Sequence, residues 1–150
     1  MRIWIDADGC PRDVKDLVFR AAERLKIPVV MVADRPLARH RSPLITSVVV
    51  PRDLDSADRH IAGQLDPGDL VITADLPLAA EVVGRGAIGI NPRGELYTEE
   101  NVRERLSMRD FLMGLRETGA ELGGPPPYSR KDKERFAAAL DRFLTRALKA

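Results

Sequence analysis

Short apolar runs alternate with stretches of helical periodicity along most of the chain. The apolar runs predict strands at 3–5, 28–32, 46–50, 70–73 and 87–90. Between them, apolar residues at helical spacing predict helices at 14–25, from 55 or 56 to about 65, and through 78–83. A strand, a helix and a second strand in succession form a right-handed parallel unit. The pattern therefore predicts an α/β fold with an open, mostly parallel five-stranded sheet flanked by helices.

Beyond residue 94 the predicted elements are helices. Thr98 followed by two acids predicts one helix start, and the sequence Ser-Met-Arg-Asp at 107–110 predicts another. A glycine- and proline-rich linker at 119–127 precedes a last helix that is capped at 129–132. The apolar face of that helix contains Phe136, Leu140, Phe143 and Leu144. We expect this face to dock on the sheet layer or on a partner subunit, so a homodimer is one expectation.

Composition limits the class of protein. The chain has 150 residues, of which 44% are hydrophobic and 31% charged, as in ordinary globular proteins. We predict one domain over 1–150, with an α/β core at about 1–94 and a helical extension at about 95–150. A net charge of +1 argues against a strongly basic nucleic-acid coat protein but allows a local basic patch. A single cysteine and no apolar run of membrane-spanning length indicate a cytoplasmic protein without a membrane partner.

Acidic residues follow two strands that we expect to be neighbours. Asp6 and Asp8 follow strand one, where period-two alternation would point both side chains the same way, and Asp75 follows strand four. In doubly wound sheets, ligands bind outside the carboxyl ends of the strands where the strand order reverses. Asp58, in the first turn of the preceding helix, is a fourth candidate. Four carboxylates at this edge predict a site for a hard cation such as Mg²⁺, which activates water for in-line displacement at phosphorus.

Structural roles are the alternatives for these residues. Asp58 suits a first helical turn through the helix dipole, and Asp8 and Asp75 can each cap the helix that follows. Thr73 lies beside Asp75, so its hydroxyl either orients a metal-bound water or is an ordinary strand hydroxyl. Cys10 at a helix start is a candidate reactive thiol, although a small packing residue is the favoured interpretation.

Five segments resemble the YaiI/YqxD family of bacterial proteins. They are 4–11 (WIDADGCP), 68–79 (GDLVITADLPLA), 91–97 (NPRGELY), 108–111 (MRDF) and 123–126 (GGPP). That family is in turn similar to the PIN-like nucleases, whose fold is a Rossmann-type three-layer domain. In PIN-like domains, acids after strand one, in a middle helix and after strand four bind Mg²⁺ or Mn²⁺ and cut RNA or DNA. The resemblance implies that these acids are Asp6, Asp58 and Asp75.

The sequence departs from these families at two positions. Many PIN nucleases have a further acid soon after the strand-four aspartate, whereas here the next acid is Glu81. Asp8 is the candidate replacement; without one, the metal is held weakly or the site does not cut. The YaiI/YqxD family more often has alanine where this chain has Gly9. The glycine gives the backbone of this chain more conformational freedom at that position.

Two other functions stay open. A module that binds metal, RNA or a protein partner without catalysis is the competing class. The segment 6–9 also resembles the first motif of haloacid-dehalogenase-type phosphatases, in which the first aspartate is a nucleophile. The nearest second acidic motif, Gly68-Asp69, lies before strand four and not after it.

Basic residues supply the expected nucleic-acid contacts. Arg35, Arg39 and Arg41, with His40, lie on a predicted loop at 34–43, and Arg93 follows strand five. We expect all of them at the edge that contains the acids, where arginines bind phosphate without reading sequence. The aromatic content is 5%, and Tyr97 and Tyr128 are the candidates for stacking on a base. Together with the resemblance to PIN-like nucleases, these residues favour a metal-dependent nuclease, acting on RNA more than DNA, with Asp6, Thr73 and Asp75 as its catalytic group.

Overall fold

The computed structural model describes residues 1–53, 55–124 and 126–149. Its five strands form one sheet in which every pair of neighbouring strands is parallel. The strands are β1 (Ile3–Asp6), β2 (Val29–Ala33), β3 (Ile45–Val49), β4 (Leu70–Ile72) and β5 (Ile88–Ile90), in the order β3-β2-β1-β4-β5. The predicted α/β class and five-stranded sheet are confirmed.

Helices cover both faces of the sheet. The described residues form α1 (Arg12–Leu25), α2 (Ser56–Gln64), α3 (Leu76–Gly84), α4 (Glu99–Glu117) and α5 (Arg130–Lys149), with a short 3₁₀ turn (Ala7–Gly9) before α1. Side chains alternate along β1, so Ile3 and Ile5 pack against α1 and α5, whereas Trp4 packs against α2 and α3 on the other face. The central strands are apolar on both sides because both sides are covered.

The predicted break between two helices at 107–110 is wrong. One helix, α4, runs from Glu99 to Glu117. Its start is fixed by a capping box in which Thr98 and Asn101 each bond the other's backbone N–H. Ser107 therefore lies inside a helix that has already begun, and its capping-box pattern with Asp110 is incidental. A local cap motif does not by itself start a helix when the preceding turn is already helical.

The last helix follows the first of its two predicted alternatives. The Ser129 hydroxyl accepts from the Asp132 N–H at 3.3 Å, and the Asp132 carboxylate accepts from the Ser129 N–H at 2.9 Å, which confirms the predicted cap. Phe136, Leu140 and Leu144 of α5 are buried in the core on the α1 side of the sheet. Large exposed apolar side chains lie on α4, at Met108, Phe111 and Met113, and near the end of α5, at Leu148. The homodimer stays a prediction.

The linker before α5 agrees with the sequence. Residues 118–124 and 126–129 are non-helical, and Pro125, which belongs to the predicted linker, lies outside the described residues. No helix within 1–53, 55–124 and 126–149 is long and apolar enough to cross a membrane.

Candidate acidic active site

The centre of the sheet brings the predicted acids together. The chain winds outward from β1 through β2 to β3 and then returns to place β4 on the other side of β1, so the strand order reverses between β1 and β4. Asp6 is the last residue of β1, Asp75 begins α3 just after β4, and Asp58 lies in the first turn of α2. These acids occupy the position where open parallel sheets bind ligands.

Asp6 is held against β4 by a neutral neighbour. The Thr73 hydroxyl donates to Asp6 Oδ2 at 3.0 Å, and Asp6 is partly buried. Burial raises the pKa of Asp6 and the bond from Thr73 lowers it, while the negative charges of Asp75 and Asp8 add to the rise. The carboxylate therefore has a fixed orientation in an environment that disfavours its charge.

Asp75 has a structural role as well as a place beside the other acids. Its Oδ1 accepts from the Leu78 N–H at 2.9 Å, which confirms the predicted cap of α3. Its own N–H donates to the Thr73 hydroxyl at 3.0 Å, and the Thr73 carbonyl accepts from the Tyr97 hydroxyl at 2.9 Å. Thr73 is 1% exposed, so these bonds make it a bridge that positions Asp6 relative to Asp75. A role for Thr73 in orienting water stays a prediction.

Asp58 is electrostatically coupled to the other acids across the edge of the sheet. Partial burial, followed by the charges of Asp75, Asp6 and Asp55, raises its pKa to about 7, and a hydrogen bond with Asp75 acts in the same direction. Asp58 is therefore partly protonated near neutral pH. We call Asp6, Asp58 and Asp75 the acidic cluster.

Asp8 lies at the margin of this cluster, which corrects the predicted geometry. β1 ends at Asp6, and the following residues turn into the 3₁₀ segment, so strand alternation does not reach Asp8. Asp8 Oδ2 accepts from the Asp34 N–H at 2.9 Å, at the end of β2, whereas Asp6 faces β4. The two side chains thus point to opposite neighbouring strands. Asp8 also does not cap α1, whose N-cap residue is Pro11 without a side-chain bond.

The carboxylate oxygens of the cluster suit a hard divalent cation, although they are not arranged as a site with three protein ligands. Within the described part of the chain, no three His, Cys, Asp or Glu side chains are arranged to hold a metal ion. Mg²⁺ commonly uses only one or two protein carboxylates and retains several waters. The three acids offer oxygen donors alone. Burial, and after it the repulsion from the neighbouring acids, raises the pKa of Asp58, and a cation would relieve that repulsion. The residues therefore fit an ion bound directly by one or two carboxylates.

The start of the basic loop lies at the carboxyl edge of the sheet, as the sequence predicts, but its middle does not. Arg35 follows β2, with its Nε 3.4 Å from Asp34 Oδ1. His40 packs its ring against Phe19 of α1 with centroids 4.9 Å apart. Arg39 and Arg41 line a cavity beside the edge strand β3. The middle of the loop thus runs along the outer edge of the sheet and away from the acidic cluster; its contact with nucleic acid stays a prediction.

Two further candidates have structural environments. Arg93 Nη1 lies 2.8 Å from Asp132 Oδ2 and its Nη2 donates to the Pro126 carbonyl, so the guanidinium joins the end of β5 to the start of α5. The contact of Arg93 with nucleic acid stays a prediction. Burial raises the pKa of the Cys10 thiol to about 12, so the thiol is protonated at neutral pH and fits the favoured packing role.

Sequence reasoning missed the role of Tyr97 in supporting the cluster. Its ring is buried against Ala79 and Val102, and its hydroxyl reaches the backbone of Thr73. The bond joins residues 24 positions apart, which no local motif indicates. The one available signal was an isolated tyrosine in a segment of otherwise low aromatic content.

The fold and the acids define a class: a parallel α/β protein with a carboxylate cluster at the switch point of its sheet. The family model described as "Uncharacterized BCR, YaiI/YqxD family" matches residues 4–146, and the chain belongs to that family. The resemblance found in the sequence is thereby confirmed at the level of the family. Its further link to PIN-like nucleases stays a prediction.

The relatives are bacterial proteins that match along nearly their whole length. A "UPF0178 protein" of Trichlorobacter lovleyi is 58% identical over 149 residues, which cover 99% of this chain and 97% of the relative. A protein of the same name in Hahella chejuensis is 51% identical, and the match covers 100% of both chains. Another in Cronobacter sakazakii is 50% identical, and the match covers 97% of this chain and 96% of the relative. No solved structure matches the chain significantly.

Asp58→Asn is expected to stabilise the metal-free protein at high pH. Because the pKa of Asp58 is raised from 3.8 to about 7, the folded state binds more protons than the unfolded state between these values, and stability falls as the pH rises through this interval. Asparagine removes that penalty. After allowance for solvent screening, we expect a gain on the order of 1 kcal/mol at pH 8 that disappears near pH 4.

Urea denaturation in EDTA at both pH values measures this effect. The exposed Asp110→Asn is the matched control, and we expect it to change the free energy of unfolding by less than about 0.5 kcal/mol at either pH. An Asp58→Asn variant that is less stable than the wild type at pH 8 would show that Asp58 is not destabilised by its neighbours.

Proposed function

We propose that this protein is a divalent-metal-dependent nuclease that hydrolyses phosphodiester bonds. The observation that supports the proposal is the electrostatic coupling of Asp6, Asp58 and Asp75 at the switch point of the sheet. Neighbouring carboxylates repel one another, and this repulsion destabilises the metal-free protein. A bound cation would replace the repulsion between carboxylates with attraction to the metal. RNA is favoured over DNA solely through the resemblance to PIN-like nucleases.

The proposed roles follow from the contacts of each residue. When bound, Mg²⁺ or Mn²⁺ supplies Lewis-acid neutralisation of phosphate charge and activation of a water. Asp6 and Asp75 are the ligands that we propose, because Thr73 holds them in a fixed relation through its hydroxyl. A cation at the cluster would favour the carboxylate form of Asp58, whose pKa is raised to about 7 without one.

A non-catalytic metal- or RNA-binding module is the second candidate. The observation that favours it is the position of Glu81, the first acid after Asp75, whose carboxylate lies 3.4 Å from Arg85 Nε on α3. Asp8 is bonded to the backbone of Asp34, so neither residue supplies a further ligand beside Asp75 in this arrangement. A site with few protein ligands binds its cation weakly, which suits a binding module as well as a weak enzyme.

The phosphatase alternative has little support from the second acidic motif. Asp69 is 2% exposed and accepts from Arg2 N, Trp4 Nε1 and Asp66 N at 2.9, 3.2 and 3.0 Å. It lies at the amino edge of the sheet, opposite the acidic cluster, and these bonds give it a structural role.

Cleavage of mixed RNA and DNA oligonucleotides tests the proposal. We expect the wild type to cut in Mg²⁺ or Mn²⁺ and not in EDTA, and the double variant Asp6→Asn/Asp75→Asn to be inactive in both. Cleavage by the wild type that does not exceed that of the double variant would favour the binding module. Release of phosphate from small phosphomonoesters, lost on Asp6→Asn, would instead support the phosphatase.

A further inference from the structure

A cavity of about 400 Å³ opens beside the acidic cluster at the carboxyl edge of the sheet. Its walls include Gly9, which follows Asp8, and Ala74 and Leu76, which flank Asp75. The loop after β5, with Asn91 and Pro92, forms another wall. A ligand in this cavity would therefore lie next to any phosphate bound at the cluster.

The remaining walls combine aromatic rings with arginines. Tyr97 and Tyr128 line the cavity, and so do Arg93 and Arg105. Both rings are fixed by their hydroxyls, since Tyr97 donates to the Thr73 carbonyl at 2.9 Å and Tyr128 donates to the Pro92 carbonyl at 2.8 Å. The cavity is thus bordered by rings that are already in place before a ligand enters, which reduces the entropy lost on binding.

Each arginine is paired with one ring and one carboxylate. The guanidinium carbon of Arg93 lies 5.8 Å from the Tyr128 ring centre, and that of Arg105 lies 5.8 Å from the Tyr97 ring centre. Arg93 is also paired with Asp132, and Arg105 with Glu95. About a third of each arginine side chain is exposed, at 31% and 32%. Planar cations held in this way present both a stacking surface and donors to phosphate.

The other side of the cluster has different chemistry. A cavity of about 390 Å³ between α2 and α3 is lined by Asp58 and Glu81, with Arg59 and Arg85 as its cations, and it has no aromatic residue among its described walls. Those two arginines are paired with Asp53 and Glu81. The two flanks of the cluster are therefore not equivalent, and the flank with Tyr97 and Tyr128 is the one suited to a planar, anionic ligand.

We propose that the cavity bordered by Tyr97, Tyr128, Arg93 and Arg105 binds one nucleotide of an unpaired nucleic-acid strand, next to the phosphodiester at the acidic cluster. Every base has a π-face that stacks on aromatic rings or guanidinium planes, so such a site accepts different bases. A base inside a duplex is already stacked on its neighbours and has no free face for these walls, so the proposed substrate is single-stranded. The place of this site in a reaction rests on the proposed nuclease function, whereas its binding of a nucleotide does not.

Titration of the ¹⁵N-labelled protein in EDTA tests the site independently of cleavage. The probes are uridine 5′-monophosphate and adenosine 5′-monophosphate, with ribose 5-phosphate and inorganic phosphate as ligands that lack a base. We expect both nucleotides to shift the amide resonances of 74–76 and 91–97, and to bind at least about tenfold more tightly than ribose 5-phosphate. Equal binding of ribose 5-phosphate would show an anion site and overturn the proposal.

Matched arginine variants locate the binding. Arg105→Gln is expected to raise the nucleotide Kd about tenfold or more, whereas Arg85→Gln, which also removes an arginine paired with a glutamate, is expected to leave it within about twofold. Tyr128→Phe keeps the ring but loses the bond to the Pro92 carbonyl, so it is expected to raise the nucleotide Kd by only about two- to threefold, whereas Tyr128→Leu, which removes the ring, is expected to raise it about tenfold or more. Equal effects of Arg105→Gln and Arg85→Gln would overturn the proposal.

The two proposals fail in different ways. Nucleotide binding that is sensitive to Arg105→Gln, without cleavage of any oligonucleotide, would support the site and remove the nuclease function. Cleavage of oligonucleotides with an unchanged KM in Arg105→Gln, and no nucleotide-induced shifts at 74–76 and 91–97, would support the nuclease and remove the site.

Discussion

Asp6→Asn is expected to lower the rate of oligonucleotide cleavage in Mg²⁺ by at least about 100-fold, since loss of even an outer-shell partner of a metal site costs 10- to 100-fold. The variant should nevertheless fold normally. An asparagine oxygen in the same place still accepts the Thr73 hydroxyl, which lies 3.0 Å from Asp6 Oδ2. Burial raises the pKa of Asp6, so removal of its charge does not destabilise the folded state. Single-turnover rates together with thermal unfolding midpoints measure both effects.

Two acids outside the cluster calibrate this result. Asp16→Asn changes an exposed acid on α1 and is expected to cut at the wild-type rate. Asp8→Asn is expected to lower the rate by less than about tenfold, because Asp8 is bonded to Asp34 and affects Asp6 only through its charge. Wild-type cleavage by a correctly folded Asp6→Asn protein would remove Asp6 from the reaction.

Gly94→Ala is expected to lower the free energy of unfolding by about 3 kcal/mol, as the sum of backbone strain and overpacking. Gly94 has a φ of +91°, which a side chain rarely adopts. A β-carbon there would lie 2.6 Å from the carbonyl carbon and oxygen of Arg135 and 2.8 Å from the nitrogen of Phe136. Since these are backbone atoms of α5, the helix must move and withdraw Phe136 from the core.

Gly114→Ala is the control for this substitution. Gly114 lies inside α4, and a β-carbon there would meet nothing within 4 Å. Alanine in a helix interior is expected to stabilise the protein by roughly 0.5–1 kcal/mol relative to glycine. Urea denaturation of both variants gives the comparison. If Gly94→Ala were as stable as the wild type, the close approach of the β5–α4 connection to α5 would be wrong.

The parallel sheet was predictable because its determinants are local and repeated. Each strand is a short apolar run, and every strand except β2 is followed by a helix. The right-handed crossover of the strand–helix–strand units then limits the order of the strands. The helix break at 107–110 was wrongly predicted because Ser107 and Asp110 have the spacing of a cap. Whether such a cap acts depends on the preceding turn, which Thr98 and Asn101 had already made helical.

The acidic cluster was predictable in its members but not in its geometry. Asp6 and Asp75 follow neighbouring strands, so the topology alone brings them to one place. The direction of the Asp8 side chain depends on the residue at which β1 ends and the 3₁₀ turn begins. The sequence at 6–9 does not determine where that change occurs. The bridge from Tyr97 through Thr73 to Asp6 is a tertiary contact between three separate segments, and no local motif indicates it.

Calorimetric titration of Mn²⁺ tests the acidic cluster as a metal site most directly. Both substitutions in Asp6→Asn/Asp75→Asn preserve the local hydrogen bonds, because asparagine accepts from Thr73 at position 6 and is a good helix cap at position 75. We expect the wild type to bind one Mn²⁺ and the double variant to bind at least about tenfold more weakly. Indistinguishable titrations of the two folded proteins would contradict the assignment of a divalent cation to this site.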